Sequence, residues 1–190
     1  MGKEKLLLHS RKSLFNGIVL SFCRLYVNAG VAAFVPFEYT TEEVFDQMFN
    51  TNVKGAYFTI QKLLPVLKDG SSIVINGSIC GHKGDAASSA YSASKAAVNS
   101  FAKTLSRDLL LRKIRVNVVN PGPITTPIMS KTGLPVEVLD GIRAQLVTGI
   151  PVGRMGTVEE VTGYVAFLLS HKSTFILGTE LSIDGGMSQL

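Results

Sequence analysis

The chain has 190 residues, 46% hydrophobic and 17% charged, a size and balance that suit one folded core and exclude a disordered or membrane-spanning polypeptide. Its net charge of +5 sits at one end. Residues 1–28 carry Lys3, Lys5, Arg11, Lys12 and Arg24 against Glu4, and the rest holds 14 basic and 13 acidic side chains, which is not the basic body of a nucleic-acid-binding domain.

In chain order, the basic start leads into an apolar run from Leu14 to Cys23. Asn16, Gly17 and Ser21 interrupt that run, and it is too short to span a bilayer. From residue 25 onward strand-like and helix-like segments alternate, the pattern of an α/β fold with a largely parallel sheet. Leu25–Asn28 reads as a short strand entering a turn at Ala29-Gly30. Thr40 with Glu43 three residues later is a capping box that opens a helix. The helical region is predicted to run, with a break, to about Leu67, and Asp69-Gly70 ends it. Ser72–Ile75 is a buried strand.

A long helix is predicted from about Ser89 to Arg112, with Val98, Phe101, Leu105 and Leu109 on one face. Ile114–Val119 is a second clear strand, and Asn120-Pro121-Gly122-Pro123 turns the chain sharply. Two shorter helices are predicted near 135–147 and 157–170. A last strand at Glu180–Ile183 is closed by Asp184-Gly185-Gly186.

Cys23 and Cys80 fall in no CxxC or metal-ligand spacing and read as two free thiols in a reducing compartment rather than as a bridge. His9, His82 and His171 are scattered, so no metal site is expected. The sharpest local feature is Tyr91-Ser92-Ala93-Ser94-Lys95. Four residues apart on a helix, a phenol and an ammonium share one face. A cation beside a tyrosine favours the phenolate, so the pair suits proton transfer. Ser78, just past a buried strand, joins Asn28-Ala29-Gly30 and Pro121-Gly122 at strand ends, where open α/β sheets bind ligands.

Together these motifs resemble the short-chain dehydrogenase/reductase family. Asn28-Ala29-Gly30 looks like the family's NNAG turn, with Val27 in place of its first Asn. Asn52 matches the catalytic asparagine, Asn76-Gly77-Ser78 the catalytic serine segment, and Tyr91/Lys95 the YxxxK pair. Asn120-Pro121-Gly122-Pro123-Ile124 with Thr126-Pro127 resembles the PG motif, and residues 178–186 resemble the C-terminal signature.

The resemblance implies that Tyr91 is the general acid or base, that Ser78 hydrogen-bonds the reacting oxygen, and that Lys95 holds the nicotinamide ribose and depresses the Tyr91 pKa. It gives Asn52 a water in a proton relay. Asn28, Ala29 and Gly30 would let the backbone approach the cofactor, Pro121 and Gly122 would serve the same site, and Ile124 and Thr126 would contact the carboxamide. The cofactor implied is NAD or NADP, undecided between them. The substrate implied is a small-molecule carbonyl/alcohol pair, set by the apolar segment Pro127–Ile150. Neither nucleic acid nor membrane is expected as a partner. A homodimer or homotetramer is expected, through the helices around 52–67 and 89–112 and the region 180–190, in a cytoplasmic protein.

The family also opens with a βαβ unit whose Gly-rich turn binds the pyrophosphate. Residues 1–26 hold only Gly2 and Gly17, with no GxxxGxG spacing. The expected fold is therefore a Rossmann-like doubly wound parallel sheet lacking the first βαβ unit. Residues 1–26 form an atypical segment and 27–190 the family domain. Two functions follow: an NAD(P)-dependent oxidoreductase, or an inactive relative acting only as an oligomeric interaction module.

Overall fold

The structure, a computed structural model, describes residues 21–126 and 135–190. Among these, four strands form one sheet in chain order: β1 (Phe22–Val27), β2 (Leu67–Asn76), β3 (Arg115–Pro121) and β4 (Glu180–Ile183). All neighbours are parallel. Parallel neighbours require a crossover, and these are supplied by α1 (Glu42–Met48), a π-helical stretch (Phe49–Gly55) and α2 (Ala56–Leu63), then by α3 (Ser89–Asp108), then by α4 (Val136–Thr148) and α5 (Val158–Leu169).

The strand pleat sorts the core into two layers. Val27, Ile73, Ile75, Val116 and Val118 pack under Ala56 and Ile60 of α2 and Val98 and Ala102 of α3. The alternate residues Val74 and Val119, with Tyr26 and Leu181, pack under Val161, Val165 and Leu168 of α5. Helices thus cover both faces, and the expected doubly wound parallel architecture is what the chain adopts. Arg115, buried in β3, spreads its guanidinium over the carbonyls of Leu168, Ser170 and Ser173, a cation satisfying the orphan acceptors at the end of α5.

Five boundaries differ from the sequence reading. First, β1 begins at Phe22, because Phe22 and Arg24 already pair with β2; five residues of the segment set apart as 1–26 therefore belong to the sheet. Second, the helix before β2 ends at Leu63, not near Leu67. Pro65 in the tight turn Leu64–Val66 stops it. Third, β2 starts at Leu67 and absorbs Asp69-Gly70 as an irregularity: Phe22 pairs with Leu67 but Arg24 with Ser72, and Gly70 takes φ +79°. Fourth, the cap of α1 is Thr41, whose hydroxyl accepts from the Val44 N–H at 3.4 Å. The Thr40 hydroxyl instead donates to Val35 and Pro36 carbonyls. The helix expected to Arg112 ends at Asp108 and continues as a tight turn, Leu110–Arg112. Residues 1–20, and residues 127–134 of the segment expected over the substrate, lie outside the described residues.

Candidate active site

The carboxyl ends of β1, β2 and β3 deliver Asn28, Ser78 and Pro121-Gly122 to one side of the sheet, and α3 lays Tyr91 and Lys95 across that side. Such an edge is where open parallel sheets take ligands. There, Asn28, Ser78, Tyr91, Pro121, Ile124 and Thr126 share the lining of a cavity of about 420 Å³, with Gly122 beside them. Ala29, Gly30, Asn52 and Lys95 stand behind this lining. A methyl group on Gly30 would lie 3.2 Å from Asn52 Oδ1 and 3.4 Å from Lys95 Nζ, so the Asn28–Gly30 turn sits directly on both.

Asn52 lies in the π-helical stretch, a local widening common at functional sites. Its amide is committed on all sides: Oδ1 accepts from Val31 N–H at 2.8 Å, and Nδ2 donates to Val31 O at 2.9 Å and to Ser94 Oγ at 3.0 Å. Both amide hydrogens are thus used. The side chain acts as a clamp between the loop after β1 and α3.

Lys95 is only 4% exposed, and Nζ donates to the Asn76 carbonyl at 2.9 Å. Burial pulls its pKa down to about 8, partly opposed by the nearby Cys80 thiolate form. For Tyr91 the direction is the reverse of what the pair suggested. Burial pushes the phenol above its ordinary value, the Ser78 hydroxyl within hydrogen-bonding reach pulls it back, and Cys80 adds a further upward push. The Lys95 Nζ stands 5.9 Å from the centroid of the Tyr91 ring and donates to Asn76. The phenol is therefore protonated at neutral pH.

Two supports were not legible as site residues. Asn120 read as turn punctuation, yet its Oδ1 accepts from the Ser78 backbone N–H at 2.8 Å. Tyr26 read as a strand residue, yet its hydroxyl donates to Asn76 Oδ1 at 3.1 Å, on the residue whose carbonyl holds Lys95. Gly77 packs against Asn120 so closely that a side chain there would overlap it, which is the one local hint in the sequence. A second cavity of about 440 Å³ lies beyond Ile124. Its charged groups are already partnered, Arg154 with Glu160 and the Asp184 carboxylate with Gly186 and Ser188, so it presents no reactive constellation.

With this geometry in hand, similarity to known proteins is specific. The family profile described as Enoyl-(Acyl carrier protein) reductase matches residues 13–188. Oxidoreductase asL5 of Sarocladium schorii is 39% identical over 165 residues, 86% of this chain and 64% of that protein; the chain thus spans a little under two thirds of that relative's length. A crystal structure of a short chain dehydrogenase family protein from Francisella tularensis superposes with TM-score 0.84 at 30% identity, covering 98% of this chain and 78% of that one. The angucycline C-6 ketoreductase LanV, solved with bound NADP, superposes with TM-score 0.81 at 28% identity over 96% of this chain and 68% of that one.

Proposed function

We propose, for a chain that belongs to the short-chain dehydrogenase/reductase family, that it interconverts a carbonyl and an alcohol with NAD or NADP, and that Ser78, Tyr91, Lys95 and Asn52 serve that chemistry. The observation that carries the reading is the half-buried, protonated Tyr91 phenol with the Ser78 hydroxyl on the same cavity lining at the sheet's carboxyl edge. Two hydroxyls on the lining of one cavity suit a carbonyl oxygen. Tyr91 donates the proton and Ser78 stabilises the oxygen by a second hydrogen bond.

The residues present fit the nicotinamide end of a dinucleotide. Asn28, Pro121, Gly122, Ile124 and Thr126 line the cavity and would hold the ring and its carboxamide, and Lys95, behind Asn28–Gly30, would face the ribose. When bound, the nicotinamide supplies or accepts the hydride, and the protein's part is orientation and electrostatics. Lys95 keeps a positive charge near the phenol at neutral pH. Asn52 holds the loop after β1 against α3, which fixes Gly30 relative to Lys95 and makes Asn52 a positioning residue.

The same reading extends to a homodimer or homotetramer, supported by Tyr57 and Phe58, which stay partly exposed on α2. It extends also to a cytoplasmic location, supported by the two free thiols. No helix among the described residues is long and apolar enough to cross a membrane.

The test is titration of the purified chain with NADH and NADPH by nicotinamide fluorescence, followed by turnover of a simple ketone in the wild type and Tyr91→Phe. Binding in the micromolar range, with turnover reduced about a hundredfold or more in the variant, is expected. Dissociation constants beyond millimolar for both nucleotides would refute the oxidoreductase reading.

A further inference from the structure

We propose that Phe34 forms one wall of the substrate subsite and selects carbonyl compounds carrying an aryl or similarly flat apolar group next to the reacting carbon. The proposal rests on Tyr91 being the group that meets the carbonyl oxygen. Phe34 packs edge-on against the Tyr91 ring, with centroids 5.7 Å apart and planes at 60°. It is nonetheless 63% exposed. One large apolar ring thus touches the reactive residue and leaves most of its surface uncovered.

The position of that ring is built rather than incidental. Along residues 31–35, Val31, Ala33 and Val35 are partly buried while Ala32 and Phe34 face out. The segment is pinned at its start by the double hydrogen bond between Val31 and Asn52. It is pinned at its end by the Thr40 hydroxyl on Val35 and Pro36 and by Tyr39 N–H on the Pro36 carbonyl. Residues 31–37, Val-Ala-Ala-Phe-Val-Pro-Phe, carry no charge and no side-chain hydrogen-bonding group.

A substituent that extends from the carbonyl toward this segment meets only apolar surface, so a carboxylate or phosphate there would lose its hydration without compensation. A flat ring gains instead, by covering Phe34 and forming a second edge or offset contact in the aromatic cluster. Because the Tyr91 hydroxyl and ring are one rigid unit, fixing the carbonyl oxygen on the hydroxyl also fixes the substituent's distance from Phe34.

The experiment uses the full chain with NADPH present. It compares acetophenone with cyclohexyl methyl ketone, two probes alike in size that differ in aromaticity, by saturation-transfer NMR and by turnover. The wild type should favour acetophenone by about 2- to 12-fold, the range expected of one aromatic pair. Phe34→Ala should erase the preference and Phe34→Trp should retain it, with melting temperature unchanged in both because the ring is exposed. An equal preference in wild type and Phe34→Ala overturns the proposal, as does failure of either ketone to bind the wild type at millimolar concentration. A changed oligomeric state in Phe34→Ala with the preference intact also overturns it and assigns the ring to a contact between copies. An aryl preference in binding that depends on Phe34, without any turnover, would refute hydride transfer and leave the subsite standing.

Discussion

Replacing Gly77 by alanine should destabilise the protein through Asn120, and removing Asn120 should partly undo the damage. A methyl group at position 77 would overlap Asn120 Oδ1, stand 2.7 Å from Val118 Cγ1 and 3.0 Å from Asn99 Oδ1. Asn120 and Val118 are both fully buried. The end of a flexible side chain could normally swing away, but this one is held by the Ser78 N–H at 2.8 Å, so displacing it also leaves a backbone donor without its partner. Overpacking of this kind costs about 1–3 kcal/mol, and an unsatisfied buried donor about as much again. A loss of about 3 kcal/mol in a protein of this size lowers Tm by about 6–12 °C.

Asn120→Ala alone loses the Ser78 hydrogen bond but also removes Nδ2, which has no partner among the described residues, so its cost should stay near 1 kcal/mol. In the double variant the worst overlap is gone. Its destabilisation should therefore fall short of the sum of the singles by at least about 1 kcal/mol, a coupling typical of side chains in contact. Because the chain has no tryptophan, far-ultraviolet circular dichroism during urea and thermal unfolding is the suitable probe. Additive effects within about 0.5 kcal/mol, or a Gly77→Ala protein as stable as the wild type, would refute the packing argument and with it the role of Asn120 in placing Ser78.

Stability should also depend on pH through Lys95. Its folded pKa of about 8 lies below the ordinary 10.5, so between these values the unfolded chain holds a proton that the folded chain has shed. Stability therefore rises with pH from 8 toward 10, by at most about 1.4 kcal/mol per unit, and Lys95→Met should flatten the rise. Above about pH 9 the raised thiol of Cys80, and above pH 10 the raised phenols of Tyr26 and Tyr91, act in the opposite sense, so the comparison belongs between pH 8 and 9. Asn52→Ala should speed amide exchange at Val31 by at least tenfold, because it removes the acceptor of that N–H; an unchanged rate would show that the loop is held by something other than the clamp.

How far the fold and site could be read from residues alone follows the range of the forces involved. The helix carrying Tyr91 and Lys95 and the strand at Arg115–Pro121 were legible because their apolar periodicity is local. Ser78, Tyr91 and Lys95 were legible because a helix fixes the four-residue spacing and a strand end fixes the serine. The start of β2 was hidden because the Asp69-Gly70 turn signal sits inside a bulge, and a bulge is defined by the partner strand. Thr40 and Thr41 compete for one cap. Glu43 favours the first on paper, but the loop closing on Val35 and Pro36 takes Thr40 for itself. The link from Asn120 to Ser78 spans 42 residues and has no local signature beyond a glycine. The shift of the Tyr91 phenol depends on how much water the whole fold excludes, which no spacing encodes.

That exclusion of water bears on the direction of the chemistry. The same desolvation that raises the Tyr91 phenol lowers the Lys95 ammonium, since burial penalises whichever form carries charge. At pH 7 the resting site therefore holds a neutral phenol with its proton and a lysine still charged, the state ready to give a proton to a carbonyl oxygen. Accepting a proton from an alcohol requires the phenolate, which burial makes scarce until the solution is alkaline. The Ser78 hydroxyl pulls the phenol back only partway. For the proposed oxidoreductase, the expected outcome is carbonyl reduction at neutral pH and alcohol oxidation that rises in alkaline solution, which initial rates of the two directions measured against pH would check.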